Sequence, residues 1–459
     1  METSKTKVKD FFVKNKMVLS MAFMTVLVLL ANHNYNLWFL SMPALLALYS
    51  FSSLSEQMCY NVYMAVFSGV SPIYVSSLLS CFLVTTIRYI IDVKKGKKQF
   101  FKFQFFLTLF FVVIFSVIHG EIDIWGFFNW ALITCLMFFA YYIFIYSREI
   151  DVKRCFKYLF WAIVVSVCLS ACLFPIEQFK TIVYPFDGKY YRLKLFTNNV
   201  NQLAMFCLFE ICYLVYSIIN VNMKTPKSFE FLKSKDFWFK ISKIAVVTLV
   251  GLLTLSKAFI LMLAIVFLYI VVVLVAKLKV KSLIVIIPMI VIIALLGFIF
   301  KDFVYKLFSR FFAYSEWGSI YSKIFTGRTE IWAQYRDSIR GSIISMLFGA
   351  GLMTKDLIAI GPHNVFIYFA YRVGFVGIVM LIILIYSYAK DAKSKIKPTL
   401  FNSLLFVSYV VLALEEMIFS DRFFIFLIMG LLLMVVPKKE KEFVEEKTEE
   451  NVQKINNQK

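Results

Sequence analysis

The chain has 459 residues, of which 61% are hydrophobic and 17% are charged, and its mean hydropathy is +0.78. Apolar stretches of roughly 15 to 25 residues recur along it, which is the length that crosses a bilayer as an α-helix. A water-soluble globular class is therefore excluded. Because the apolar runs lack the alternation typical of a transmembrane barrel, we expect an all-α polytopic integral membrane protein.

The formal net charge is +21, from 49 lysines and arginines against 28 aspartates and glutamates. The excess cations stand in short clusters beside apolar runs, where they set the topology and contact anionic lipid. We therefore expect a lipid bilayer, and no nucleic acid, as a partner. The eight cysteines fall in or beside apolar segments without paired metal spacing, so neither a disulfide framework nor a zinc site is expected.

Residues 1–184 are predicted to form the N-terminal transmembrane helices. Lysines cluster before the first apolar run, which places the N-terminus in the cytoplasm by the positive-inside rule. The apolar runs are predicted at 17–31, 35–52, 57–70, 73–91, 99–118, 124–146 and 155–174. The run at 57–70 is short, so the alternative to four crossings between 17 and 91 is two crossings with re-entrant or interfacial pieces.

Residues 185–436 are predicted to form a catalytic membrane region, followed by a charged cytoplasmic tail at 437–459. The segment 241–276 is too long for one crossing at about 1.5 Å per residue, so we predict a hairpin that turns near Ser256 and Lys257. The other spans are predicted at 198–220, 282–300, 364–388, 399–417 and 422–436. The total is about 12 to 14 transmembrane helices with both termini cytoplasmic.

One long polar segment, residues 301–363, interrupts the apolar runs and is predicted to be an outer loop. A helix is predicted to begin around Arg328, with Thr326 as its cap. Its apolar face, predicted to rest on the membrane surface, comprises Ile331, Trp332, Tyr335 and Ile339. The topology also assigns Arg192, Lys257 and His363 to the outer face, although it was derived from hydropathy and flanking lysines alone.

Cations and one histidine at the outer face suggest a chemistry for this region. His363 follows Gly361-Pro362 at the start of a predicted helix, where the helix dipole favours the neutral imidazole that a base requires. Arginines would hold an anionic leaving group such as a pyrophosphate. Each residue alone is also explained by a headgroup contact or an interfacial anchor. The acidic residues of the loop are dispersed, so we expect metal independence and no cofactor.

These residues resemble the O-antigen polymerase and ligase superfamily of polytopic membrane glycosyltransferases, over roughly residues 185–436. The resemblance rests on Gly327-Arg328 followed by Trp332, on Phe348-Gly349-Ala350-Gly351, on His363-Asn364, on Gly374 and Gly377, on the stretch from Arg192 to Asn201, on Ser256-Lys257 and on Glu415. Lys257 stands where the family has an arginine. It keeps the charge but loses the two-pronged hydrogen bonding of a guanidinium.

The resemblance implies transfer of a polyprenyl-pyrophosphate-linked glycan with inversion at its anomeric carbon. It implies catalytic roles for His363, as the base or acceptor-positioning group, and for Arg328, which with Arg192 would bind the pyrophosphate. The other implied substrate-binding residues are Lys257, Asn199, Asn201, Trp332, Asn364 and Glu415.

We therefore expect a polymerase that joins lipid-linked repeat units into capsular, O-antigen or wall polysaccharide on the outer face of the cytoplasmic membrane. Its partners would be the glycan donor and acceptor, with a flippase and a chain-length regulator. One alternative is a ligase that transfers the finished glycan to a lipid, protein or wall acceptor. A flippase or transporter would instead carry charged groups at the bilayer midplane, where Glu210 is the main exception here. A non-catalytic scaffold would tolerate replacement of Arg328 and His363.

Overall fold

The chain is almost wholly helical wherever its structure is described. The computed structural model describes residues 2–34, 38–98, 100, 102–118, 121–146, 149–179, 191–197, 199–219, 229–278, 283–299, 301–302, 305, 328–354 and 364–393. Within these ranges there is no β-strand, and a single isolated β-bridge joins Ile122 to Thr354. The all-α prediction is confirmed for these ranges.

Fifteen α-helices are described, and most of them coincide with predicted apolar runs. They are α1 Glu2–His33, α2 Trp38–Ser50, α3 Leu54–Ala65, α4 Ser71–Lys94, α5 Lys102–Ile114, α6 Ile124–Ile145, α7 Val152–Leu173, α8 Pro175–Gln178, α9 Val200–Ser217, α10 Lys235–Leu253, α11 Lys257–Leu278, α12 Leu283–Ile299, α13 Arg328–Arg340, α14 Ile343–Phe348 and α15 Val365–Lys393. The predicted hairpin is confirmed, because α10 and α11 are separated only by residues 254–256.

Six helices are long and apolar enough to cross a membrane, by length and composition. They are Asn15–His33, Ile73–Lys94, Val152–Leu173, Val200–Ser217, Lys257–Ala276 and Phe366–Leu384. The protein is therefore a multi-pass membrane protein. The spans predicted at 399–417 and 422–436, the tail 437–459 and most of the segment 301–327 lie outside the described residues, so the total of about 12 to 14 spans stays a prediction.

The short third apolar run forms a core helix. Of the 12 residues of α3, 11 are buried, including Gln57 and Asn61. Asn61 Oδ1 accepts hydrogen bonds from the hydroxyls of Tyr49 and Ser77, and Gln57 Oε1 accepts one from Thr85. Such bonds satisfy polar groups inside a helix bundle. At about 18 Å, α3 is also shorter than a bilayer core. The structure favours the alternative in which short pieces lie between α1 and α4.

Acidic and basic side chains pair at one end of the bundle. Glu56, at the start of α3, accepts a hydrogen bond from Lys16 Nζ of α1 at 2.8 Å and lies 3.7 Å from Arg154 Nη2 of α7. Glu149, which follows α6, lies 3.4 Å from Arg88 Nη2 of α4. We call this region the ion-paired end.

The helices α1, α4 and α7 each extend from the ion-paired end to the opposite end of the bundle. There, Asn32 of α1, Val70 before α4 and Phe174 after α7 line one cavity with the chain segment 194–197. The 22 residues of α7 separate the two ends by about 33 Å. We call the second end the Arg192 end, after the arginine that lies just before this segment.

Candidate functional site

Arg192 connects three parts of the chain at the Arg192 end. Its Nε donates a hydrogen bond to the carbonyl oxygen of Thr254 at 3.0 Å, and its Nη2 donates one to Asn201 Oδ1 at 2.8 Å. The adjacent Leu193 N–H donates to the carbonyl oxygen of Leu253 at 3.0 Å. The guanidinium is therefore fixed between the start of α9 and the turn that joins α10 to α11, and it stays partly exposed.

Both helices that begin at this arginine have structured N-termini. Asn199 caps α9: its Oδ1 accepts a hydrogen bond from Asn201 N–H at 2.9 Å, and its own N–H donates to Gln202 Oε1 at 3.3 Å. Lys257 is the first residue of α11, and the preceding Ser256 Oγ accepts from Phe259 N–H at 3.5 Å. The N-terminus of a helix carries partial positive charge and favours an anion. Two such termini and two cations meet here.

The backbone is strained on both sides of this arrangement. Leu195 has a φ of 54° and Leu255 a φ of 50°, and they are the two non-glycine residues with positive φ in the described chain. A bulky side chain in the left-handed region costs roughly 1–2 kcal/mol. Strain of this kind persists where surrounding contacts enforce it, and it clusters at functional sites. One strained residue lies in each of the two segments that Arg192 connects.

A second structured region surrounds a kink in α15. Gly374 has φ 61° and ψ −168°, which interrupts the helix and leaves carbonyl oxygens without helical partners. The carbonyl oxygens of Tyr371 and Arg372 accept hydrogen bonds from the N–H groups of Ala350 and Gly351, both at 2.8 Å. A Cβ added to Gly349 would lie 2.4 Å from the backbone of Arg372. The Phe348–Gly351 turn is thus inserted into the kink.

The N–H groups of this turn are used within the protein. Besides those of Ala350 and Gly351, the N–H of Leu352 donates to the carbonyl oxygen of Phe115 at 2.7 Å, and that of Met353 donates to Ser116 at 2.8 Å. These donors therefore bind backbone carbonyls instead of cradling a phosphate. The turn joins α15 to the connection between α5 and α6, and its role in the described structure is to hold helices together.

Arg372 is a buried cation that the sequence analysis missed. Arg372 is only 1% exposed. Its Nη1 donates hydrogen bonds to the carbonyl oxygen of Thr354 at 2.6 Å, to Thr354 Oγ1 at 3.1 Å and to the carbonyl oxygen of Gly351 at 3.1 Å. The guanidinium also lies over the rings of Tyr368 and Tyr371, at 5.4 and 5.5 Å. A single charge inside an apolar run was the signal that could have found it.

The helix predicted to begin around Arg328 is confirmed as α13, and its apolar face contacts α15. Tyr335 is 1% exposed and packs edge-to-face on Tyr371 of α15 at 5.2 Å, with Ile331 and Ile339 beside it. The centre of this face therefore packs on α15, and its contact with the membrane surface stays a prediction. Thr326, the predicted cap, lies outside the described residues.

The predicted site residues fall into two groups. Arg192, Asn199, Asn201 and Lys257 come together at the N-termini of α9 and α11. Arg328 and Trp332 lie on α13, which packs on α15, and Asn364 caps α15. His363 and Glu415 lie outside the described residues.

The two asparagines that precede helices have structural roles. Asn364 is 4% exposed, and its Oδ1 accepts hydrogen bonds from the N–H groups of Phe366 and Ile367 at 3.0 and 3.2 Å. Asn199 caps α9 in the same way. The side-chain oxygen of each is therefore engaged in stabilising a helix start.

Both groups belong to the same end of the bundle. Tyr146, just after α6, donates a hydrogen bond to Asp92 of α4 at 2.9 Å, so the C-terminus of α6 lies at the ion-paired end. The N-terminus of α6 therefore lies at the Arg192 end. There, Asp123 N–H donates to the carbonyl oxygen of Met353 at 3.3 Å, beside the turn that binds Arg372.

Comparisons of the chain with protein-family models, with curated proteins and with solved structures give no match.

Proposed function

We propose that this protein is a membrane glycosyltransferase that polymerises polyprenyl-pyrophosphate-linked repeat units on the outer face of the cytoplasmic membrane. The observation that carries the proposal is the position of Arg192, which joins the N-termini of α9 and α11 beside Lys257. Helix N-termini and guanidinium groups both favour phosphate groups. The pyrophosphate of the donor is the anion that this site would bind.

The electrostatics of Lys257 support an anion at this position. A cation in the first turn of a helix is unfavourable, because the dipole already makes that end positive. An anionic ligand between Lys257 and Arg192 would convert this repulsion into attraction. The hydrogen bonds from Arg192 to the carbonyl of Thr254 and the amide of Asn201 go to neutral oxygens, and these two acceptors orient the guanidinium toward the starts of both helices.

The proposed reaction is a single inverting displacement. A hydroxyl group of the acceptor glycan attacks the anomeric carbon of the donor, the bond from that carbon to the pyrophosphate oxygen breaks, and the pyrophosphate leaves with the electron pair. His363 takes the hydroxyl proton or positions the acceptor, and Arg192, Lys257 and Arg328 stabilise the departing charge. Removing one donor that stabilises charge in this way lowers the rate by a factor of roughly 10²–10³. No metal ion is required by this scheme.

The test uses surface polysaccharide from cells that lack the gene, complemented with the wild type, Arg192→Ala, Arg192→Lys or His363→Ala. Arg88→Ala is the matched control, because Arg88 is also a partly exposed arginine but lies at the ion-paired end. Membrane levels of each variant are measured in parallel. We expect long chains with wild type and Arg88→Ala, single repeat units with Arg192→Ala and His363→Ala, and short chains with Arg192→Lys.

Three results would oppose the proposal. A normal ladder of polysaccharide chain lengths on a gel, from cells with Arg192→Ala, would contradict the assignment of the pyrophosphate site. A normal ladder in the uncomplemented deletion strain would contradict the proposed polymerase function. Full-length chains that accumulate on the lipid carrier in the deletion would favour transfer of finished glycan, which is the ligase reaction.

A further inference from the structure

An open cavity lies at the Arg192 end, on the other side of the segment that carries Arg192. Its volume is about 220 Å³. It is lined by Asn32, Gly69, Val70, Phe174, Glu177, Gln178, Lys194, Leu195, Phe196 and Thr197. Four separate parts of the chain therefore form its wall: the end of α1, the turn between α3 and α4, the α7–α8 corner and the segment 194–197.

Hydrogen bonds hold these walls together. Gly69 N–H donates to the carbonyl oxygen of Phe196 at 2.8 Å, and Leu195 N–H donates to Gln178 Oε1 at 3.0 Å. Thr197 Oγ1 donates to the carbonyl oxygen of Lys194 at 2.6 Å, which fixes the shape of the segment itself. The cavity is thus formed before any ligand enters it, and pre-organisation of this kind lowers the cost of binding.

The lining has the chemistry that recognises a sugar ring. Phe174 and Phe196 pack at a ring-centroid distance of 6.2 Å and supply apolar surface for the C–H groups of a pyranose. The exposed Lys194 and Glu177 supply a hydrogen-bond donor and an acceptor for its hydroxyls. A volume of about 220 Å³ is smaller than the pockets of roughly 300–1,000 Å³ that hold drug-sized molecules. It therefore has room for one sugar ring.

The same short segment serves both the cavity and the arginine site. Arg192 is directed to Asn201 and Thr254, whereas residues 194–197, which follow it, face the cavity. Leu195, one of the two strained residues, lies in the cavity wall. A ligand with a pyrophosphate at Arg192 and a sugar attached to it would extend along this segment.

We infer that the cavity binds one sugar ring of the lipid-linked glycan. This inference rests on the proposed function, since that function supplies the glycan. It assigns sugar recognition to Asn32, Phe174 and Glu177 of the N-terminal region 1–184, together with Lys194.

The experiment measures equilibrium binding to the purified full-length protein in nanodiscs. The probe is the repeat-unit oligosaccharide, released from its lipid by mild acid. The test variant is the double substitution Glu177→Ala with Lys194→Ala, which changes two exposed side chains and leaves the core intact. The control is Arg88→Ala with Glu149→Ala, an exposed pair of opposite charges at the ion-paired end. A third variant, Val70→Trp, fills the cavity and is compared with Val70→Leu.

We expect the oligosaccharide to bind at least about tenfold more weakly to the test variant than to the wild type, because two hydrogen bonds to charged groups are lost. The control should bind as the wild type does, and Val70→Trp should bind more weakly than Val70→Leu. Inorganic pyrophosphate should bind the test variant normally and Arg192→Ala poorly.

Two outcomes overturn the inference: unchanged oligosaccharide affinity in the test variant and in Val70→Trp, or no oligosaccharide binding to the wild type. Either outcome leaves the proposed function standing if cells with Arg192→Ala accumulate single repeat units. Conversely, a normal ladder in the deletion strain removes the polymerase function, while the binding measurement still decides whether the cavity takes a sugar.

Discussion

The two ends of the bundle bind their cations in different ways. At the ion-paired end, carboxylates face the cations: Glu56 contacts Lys16 and Arg154, and Glu149 contacts Arg88 and Lys98 at 3.4 and 2.7 Å. At the Arg192 end, the described hydrogen bonds of Arg192 and Arg372 go to neutral oxygens, which are the backbone carbonyls and the Asn201 and Thr354 side chains.

This difference distinguishes cations that are paired with carboxylates from cations that are held by neutral oxygens. A carboxylate both holds a cation and neutralises it, as a structural ion pair requires. A carbonyl or amide oxygen holds the group without neutralising it. The hydrogen bonds described for Arg192 orient its guanidinium through neutral oxygens, whereas Glu56 and Glu149 at the ion-paired end pair with cations from other parts of the chain.

The largest expected effect comes from Arg372, where the neutral partners are buried. Arg372→Met should lower the free energy of unfolding by about 3 kcal/mol or more, because the carbonyl oxygens of Thr354 and Gly351 would lose a charged donor inside the bundle. Arg88→Met, at an arginine whose side chain is 38% exposed, should cost less than about 1 kcal/mol. Thermal midpoints of both variants in one detergent measure this. Equal thermal midpoints for Arg372→Met and Arg88→Met would contradict the proposed difference between the two ends.

Glycines at the two ends sharpen the comparison. Gly349 has φ 73° and ψ −169°, a backbone conformation open almost only to glycine, and a Cβ added there would clash with the backbone of Arg372. Gly96, between α4 and α5, has φ 67°, and a Cβ added there would have nothing within 4 Å. Gly96→Ala should cost roughly 1 kcal/mol, the price of the left-handed backbone alone. Gly349→Ala should cost about 2–4 kcal/mol, since a steric clash is added. If both substitutions lower the thermal midpoint equally, the backbone of Arg372 does not restrict the space at Gly349.

A smaller effect is expected where the partners are charged. Glu56→Gln keeps the shape of the side chain and its hydrogen bond from Ser53 N–H, but removes the charge that faces Lys16 and Arg154. We expect a loss of about 1–2 kcal/mol in stability. The double variant with Lys16→Met should lose little more than Glu56→Gln alone, because the pair acts as a unit. If denaturation shows that the losses of unfolding free energy in the two single variants add up fully in the double variant, Glu56 and Lys16 do not act as a pair.

The smallest effect is the pH dependence of that pair. Burial opposes ionisation of Glu56, but the hydrogen bonds from Lys16 and Ser53 outweigh it and hold the pKa of Glu56 below its ordinary value of 4.5. A lowered pKa in the folded state contributes stability that is present above 4.5 and is lost as the pH falls through the folded pKa. The difference in thermal midpoint between wild type and Glu56→Gln should therefore shrink from neutral pH to acid. A difference that grows in acid would reverse the sign of the shift.

Most helix positions could be predicted from the amino-acid sequence alone. The hairpin at residues 254–256 and the shared end of Arg192 and Lys257 followed from hydropathy and lysine clusters, and the helix that begins around Arg328 followed from the helical spacing of its apolar residues. These are local properties: a segment in lipid must satisfy its own backbone hydrogen bonds, so its composition and length fix its structure. The roles of His363 and Glu415, which lie outside the described residues, stay predictions.

The side-chain contacts between distant parts of the sequence could not be predicted and became visible in the folded bundle. Arg372 binds Thr354 across 18 residues, Lys16 binds Glu56 across 40 and Leu195 binds Gln178 across 17. The burial of α3, the covering of α13 by α15 and the cavity beside residues 194–197 depend on such contacts. Within lipid the hydrophobic effect gives helices little preference for one neighbour over another, so packing and specific hydrogen bonds choose the partners, and these depend on surfaces that come together only in the folded bundle.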